Sequence, residues 1–147
     1  MLKTMLSTSR IQLVDNIENW EQAIDLVCKP VIKSGDITSE YQQAIITSTK
    51  DIGPYYVLGP QIAMPHARPE EGVINNALSL LVVKNGVSFY SSENDPVKII
   101  LLLAANNSNQ HIELITKISE FFCSEDDINT VISSSNKDQI ISVLSKY

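Results

Sequence analysis

His66 stands in the densest run of backbone-restricting residues in the chain. Gly59-Pro60-Gln61-Ile62-Ala63-Met64-Pro65-His66-Ala67-Arg68-Pro69-Glu70-Glu71-Gly72-Val73 holds three of the six prolines and two of the five glycines of this 147-residue sequence. An apolar triplet, Ile62-Ala63-Met64, runs directly into Pro65-His66. That pattern reads as a short buried strand that stops abruptly and presents an imidazole at its carboxyl end. Pro65 fixes its own φ and removes a backbone donor, so the chain entering His66 is stiff. A neutral imidazole is a nucleophile near pH 7. The second histidine, His111, follows Asn106-Asn107-Ser108-Asn109, a cluster of candidate N-caps opening a helix near Gln110 or His111. A helix start offers free N–H groups and a positive dipole end, both suited to an anion.

An imidazole nucleophile beside an anion-binding helix start describes phosphoryl transfer, where positioning and charge stabilisation do most of the catalysis. Arg68 and Lys50 are candidate holders of phosphate oxygens. Each also has a plainer reading, Arg68 as a solvated charge and Lys50 as complement to a helix C-terminus. His111 has one too, since at a helix start it could simply cap or bond locally, and spacing does not separate the two roles. Glu70 and Glu71 suit solvent or partner contacts better than phosphate. Tyr55 and Tyr56 read as sheet residues and Trp20 as core. The chain has no Gly-x-Ser-x-Gly elbow for a hydrolase, no Walker loop and no kinase motif set. No cofactor is therefore expected, and any phosphoryl group has to come from another protein. Two histidines without nearby cysteines make a poor metal site.

The elements that would position these groups follow from periodicity. Ile11–Val14 reads as a strand. Asn19 caps a helix with Gln22 at N3, and Trp20, Ala23, Ile24, Val27 and Val31 form its apolar face. Pro30 falls inside that pattern and should kink or split the helix. Ser39-Glu40-Tyr41-Gln42 has the form of a capping box opening a second helix, which Gly53-Pro54 ends. Strands are expected at 55–58 and 62–64, a surface loop over 67–76 with one helical turn after Pro69, and a strand buried on both faces at 77–83. Lys84-Asn85-Gly86 should turn, with 87–90 as a hairpin or edge strand. The strongest strand pattern is 97–105. A helix then follows, with two short helices after Ser124 and Asn136. Strands alternating with helices give the fold class: α/β, a mixed β-sheet flanked by helices in a single-domain layered sandwich. In such sheets function gathers at the carboxyl ends of strands, where both histidines are placed.

Composition sets outer limits. Net charge is −6 and the pI about 4.8, which argues against a nucleic-acid partner and would suit a partner with a basic docking face. Moderate acidity also serves plain solubility. Cys28 and Cys123 lie in apolar helical patterns and read as buried free thiols. No secretory leader is visible, and the apolar run 99–105 is too short to span a bilayer. A soluble cytoplasmic protein, not embedded in a membrane, is expected.

The run from Gly53-Pro54-Tyr55-Tyr56 through Pro65-His66-Ala67-Arg68-Pro69-Glu70 to Val73 resembles the signature of enzyme IIA components of the bacterial phosphotransferase system, mannitol/fructose type. Its Pro-His-Ala-Arg-Pro-Glu wording is most similar to the ascorbate-type branch. Asn94-Asp95-Pro96-Val97-Lys98 and His111-Ile112-Glu113-Leu114 match as well, and the resemblance runs from about Trp20 to Tyr147. It implies one type-2 enzyme IIA domain over 1–147, an α/β sandwich with a mixed sheet. It implies that His66 takes a phosphoryl group from the phosphocarrier protein HPr and passes it to a cysteine of an enzyme IIB partner, feeding sugar uptake through a membrane enzyme IIC. His111 would lie beside it and help bind the group. Lys50 stands where many relatives carry arginine, and keeps the charge without the bidentate fork. A regulatory phosphoprotein that controls a partner protein is the alternative within the family.

Overall fold

The computed structural model describes the backbone of residues 1–106 and 108–147 and the side chains of residues 1–106 and 112–147. Five strands form one mixed sheet: β1 (Ile11–Val14), β2 (Val57–Gly59), β3 (Ile62–Ala63), β4 (Ala77–Val87) and β5 (Val97–Ala104). Their order is β1-β4-β5-β3-β2. β1 runs parallel to β4 and β3 parallel to β5, while the β4–β5 and β2–β3 pairs are antiparallel. The helices among the described residues are α1 (Leu2–Met5), α2 (Trp20–Lys33), α3 (Ser39–Ile52), α4 (Ser108–Phe122), α5 (Glu125–Ser133) and α6 (Lys137–Leu144).

The layering follows from the period of two along β4 and β5. Leu78, Leu80, Val82, Ile99, Leu101 and Leu103 face one side and pack with apolar residues of α1, α4, α5 and α6. Ala77, Leu81, Val83, Ile100, Leu102 and Ala104 face the other and meet α2 and α3. A strand apolar on both faces must be covered on both, so a three-layer sandwich results. Each fully buried Leu, Ile or Val contributes on the order of 1.5–3 kcal/mol.

Several helix ends behave as their residue types demand. Asn19 accepts from Gln22 N, Ser124 from Asp127 N and Asn136 from Gln139 N. Gly53 stops α3 at φ +88°, and a 3-10 turn, Pro69–Glu71, fills the expected place after Pro69.

Other expectations are corrected. Lys84-Asn85-Gly86 does not turn the chain; β4 runs on to Val87 through an irregularity between the Val82–Ile99 and Val87–Val97 pairings. The extra residues are accommodated by Gly86 at φ +77°. Thr38, not Ser39, occupies the N-cap of α3. Tyr55 and Tyr56 precede β2 as a turn. α4 begins at Ser108, and Asn107 lies outside the described residues. Cys28 is buried, whereas Cys123 follows the last turn of α4 and is exposed; both are free thiols. Burial pushes the Cys28 thiol up to about 12, so it stays protonated and inert.

Pro30 does not split α2 either. Its missing N–H leaves the Leu26 carbonyl without its helical donor, and the Gln12 side-chain amide on β1 donates to that carbonyl instead. Gln12→Ala is therefore expected to lower stability by about 1–2 kcal/mol in urea unfolding. In a Pro30→Ala background, where residue 30 supplies the N–H, the cost should shrink. An unchanged cost would show that the amide contact contributes nothing.

Candidate functional site

β3 is only two residues long, yet it aims the chain. Ile62 and Ala63 pair with Ile99 and Ile100, and the ladder continues as Leu103 N donates to Pro65 O at 3.1 Å. Met64 and Pro65 are buried and His66 is half-buried. The imidazole thus emerges at the sheet edge where β5 ends and α4 begins. His111 lies in the opening turns of α4 on this same edge, its side chain outside the described residues.

The His66 ring is fixed from two sides. Nδ1 lies 2.8 Å from Met64 O. A carbonyl only accepts, so Nδ1 carries the proton and the lone pair of the neutral ring is on Nε2. The Tyr55 ring meets the imidazole edge-on, with centroids 5.4 Å apart at 90°. The Tyr55 hydroxyl donates to the His66 carbonyl. Burial, helped by the charge of Glu71, raises the Tyr55 phenol, so it stays a donor.

The loop after His66 is tied at both ends. Tyr41, buried on α3, accepts from Ala67 N at 3.0 Å and donates to Leu103 O at 2.8 Å. One phenol thereby joins helix, loop and strand end. Burial pushes it up to about 12, well away from ionisation. At the far end, Ile74 N and Asn75 N donate to Asp36 O, and the Asn75 amide donates to Asp36 Oδ1. Asp36 is also held by Arg10 and Ser34. Its partial burial works against ionisation, but the hydrogen bonds from Ser34, Arg10 and Asn75 and the Arg10 charge outweigh it and hold the carboxyl below its usual range. Gly72, at φ +143°, lets the loop lie on α3; a Cβ there would sit 2.4 Å from Thr38 Oγ1.

The two candidate cations are engaged elsewhere. Arg68 Nε lies 3.4 Å from Glu71 Oε1 and its side chain is 79% exposed. Lys50 Nζ lies 3.5 Å from Glu21 Oε1 and is 58% exposed. Exposed pairs of this kind are worth about 0–1 kcal/mol, so both side chains can be drawn away at little cost. Glu71 also accepts from Arg68 N at 3.1 Å, which makes it a brace of the loop. Tyr41, Tyr55 and Asp36 were not singled out by spacing. The available signal was a tyrosine on an otherwise apolar helix face, whose hydroxyl must find a partner when buried.

The family model "Phosphoenolpyruvate-dependent sugar phosphotransferase system, EIIA 2" matches residues 4–147. The chain belongs to this family. EIIA components are phosphotransferases that carry phosphohistidine, so the chain is one component of a sugar phosphotransferase system. The ascorbate-specific EIIA component of Escherichia coli K12 is 29% identical over 144 residues, covering 97% of this EIIA chain and 94% of that one. The solution structure of the mannitol-specific cryptic enzyme IIA CmtB of E. coli superposes with a TM-score of 0.90 at 32% identity, covering 100% of both chains. The complex of E. coli IIA mannitol with phosphorylated IIB mannitol gives 0.82 at 26% identity, covering 96% of this chain and 97% of that one. The mixed sheet sandwich expected from the sequence is the fold of these EIIA structures.

Removing the Tyr41 hydroxyl leaves Ala67 N and Leu103 O unpaired in a buried place. Tyr41→Phe should cost about 1–3 kcal/mol of unfolding free energy, measured in urea, and a neutral result would show the bridge to be idle. Asp36 gives a pH signature. Because its folded pKa is lowered, its contribution is present above the unfolded value of about 3.9 and is lost as pH falls through the folded value. Asp36→Asn should flatten the acid limb of the melting-temperature profile below about pH 4; a limb as steep as in the wild type would remove Asp36 from that account.

Proposed function

We propose that His66 Nε2 is the phosphoryl acceptor and donor of this EIIA component. The observation that carries the reading is the Nδ1–H bond to Met64 O, which leaves Nε2 as the nucleophile on a ring already oriented. In the forward step the Nε2 lone pair forms the N–P bond as the bond from phosphorus to phospho-HPr breaks. In the second step a cysteine thiolate of an EIIB subunit takes the phosphorus, the N–P bond breaks and its electron pair returns to Nε2. While the imidazole carries the phosphoryl group, Nδ1–H stays on the Met64 carbonyl, which disperses positive charge on the ring.

His111 stabilises the phosphoryl oxygens from the start of α4, and Arg68 and Lys50, both exposed and weakly paired, supply auxiliary positive charge. Tyr55, Ile74 and Ile112 are 39%, 52% and 65% exposed. Their placement in the turn before β2, in the loop after His66 and in the opening turns of α4 supports a protein-docking edge. Residues 1–147 then work as one cytoplasmic EIIA domain between HPr and EIIB, with sugar uptake completed by a membrane EIIC. No helix of the described residues is long and apolar enough to cross a membrane. The Pro65-His66-Ala67-Arg68-Pro69-Glu70 wording supports an ascorbate-type sugar.

Enzyme I, HPr and labelled phosphoenolpyruvate should yield an acid-labile phosphoprotein with the wild type and none with His66→Ala. Undiminished label on that variant would sink the assignment. His111→Gln should keep HPr binding but slow transfer on the order of a hundredfold; wild-type rates would remove His111 from the site. Turnover with an ascorbate-type EIIB, and not with a mannitol-type one, is the expected result for the sugar branch.

A further inference from the structure

β1 is an edge strand, and its outer side opens into a cleft of about 630 Å³ between the C-terminal half of α2 and the start of α6. That volume lies within the range of small-molecule sites. Four of the chain's eleven Lys and Arg residues line it: Arg10, Lys29, Lys33 and Lys137. No carboxylate is among its lining residues; Asp36, just behind the wall, neutralises Arg10, which leaves Lys29, Lys33 and Lys137 as the uncompensated cations. On a chain of net charge −6, this is a local reversal of sign. Low-dielectric walls bearing one sign of charge focus the field into such a cleft.

Three of these cations, Lys29, Lys33 and Lys137, have no carboxylate partner among the described residues. Lys29 and Lys33, one helical turn apart on α2, form no ion pair or hydrogen bond among the described residues. Lys137 reaches in from the opposite wall, its Nζ placed 3.3 Å from Thr8 O. Arg10 is held rigidly by Asp36, Ser34 and Leu78 O at the inner end. Helix-dipole complementation accounts for a lysine in the last turn of α2, but for neither Lys137 nor Arg10. Ser9 and Ser34 add hydroxyls to the lining.

We propose that this cleft binds a small organic phosphate carrying at least two negative charges. Its phosphoryl oxygens lie between Lys29 and Lys33, with Lys137 closing from the other side. Charge-assisted contacts to mobile ammonium groups suit a point-like dianion. An added strand is disfavoured here, because β1 is only four residues long and lysines beside a sheet edge oppose strand addition. The cleft is separate from His66: β4 and β5 lie between β1 and β3, three strand spacings or about 14 Å. The proposal therefore stands independently of the role of His66.

The test is a two-dimensional amide NMR titration of the full chain at constant ionic strength. The probes are a hexose 6-phosphate, inorganic phosphate, the neutral hexose and a short oligoglutamate peptide. Expected are saturable shifts at Lys29, Lys33, Ser34 and Lys137 with the hexose phosphate, tighter than with inorganic phosphate and absent with the neutral hexose. Lys29→Ala combined with Lys33→Ala should weaken binding roughly tenfold, at an unchanged thermal midpoint, because both residues are solvent-exposed on α2. The proposal is overturned by any of four results. These are no saturation up to about 20 mM, shifts confined to residues 64–68, inorganic phosphate binding as tightly as the ester, or peptide binding without phosphate binding. Wild-type affinity in the double variant would equally overturn it.

Discussion

The pairing of β3 with β5 decides where His66 stands. Only Ile62 and Ala63 take part as strand residues, extended by the Leu103 N to Pro65 O bond. That short parallel register sends Ile62 and Met64 to the α4 side and Ala63 to the α3 side. A slip by one residue would exchange these faces, putting the small alanine against the α4 layer and two large side chains against Tyr41 and Tyr56. It would also point the imidazole away from the edge it occupies. Pro65 closes the strand because it has no N–H to offer, while its carbonyl is still used. The ladder therefore ends one residue before His66, and the chain enters that residue from a proline of fixed φ.

Short strands do not hold loops, and here polar satisfaction takes over. Leu103 O is buried and Ala67 N partly so, and the Tyr41 phenol partners both, while the Tyr55 phenol takes the more exposed His66 carbonyl. Both phenols are raised by burial and so remain donors across the working pH range. At the other end the Asp36 backbone and side chain collect Ile74 and Asn75. Asn106, at the end of β5, also donates to Ile74 O at 3.0 Å, so the entry to α4 is tied to the same loop. Histidine ring, loop and helix start are in this way referenced to one rigid sheet, as transfer chemistry requires.

The layered α/β class, most strand positions and the starts of α2, α5 and α6 were legible because they rest on local rules. Asn19, Ser124 and Asn136 each supply an oxygen three residues before an orphan N–H, and sequence spacing shows that directly. The errors fall where a distant residue intervenes. Pro30 reads as a helix breaker until Gln12, from another element, satisfies Leu26 O. Lys84-Asn85-Gly86 reads as a turn until pairing of Val87 with Val97 carries the strand past it. Cys123 reads as core from an apolar neighbourhood, yet it sits just beyond the helix and faces out. At the site, His66 was visible through its prolines, whereas Tyr41, Tyr55 and Asp36 act across 11 to 62 residues of sequence, and spacing does not reveal the partners they meet there.

A phosphoryl carrier must hold its cargo well enough to form it and weakly enough to lose it. On the proposed role, a rigid nucleophile and loosely held cations meet that demand together. The imidazole is oriented by fixed contacts at Nδ1 and at the ring edge, so its attack geometry is the same toward donor and acceptor. Arg68 and Lys50, by contrast, are exposed and in long surface ion pairs of 3.4 and 3.5 Å. Buried, hydrogen-bonded guanidinium would deepen the phosphohistidine well and slow its discharge, since binding that is equal or greater in the ground state does not accelerate transfer. Lysine at position 50 goes further in that direction than arginine, because it offers charge without a bidentate fork. The preference for a mobile cationic fringe over a fixed one is therefore what a reversible relay between two protein partners calls for.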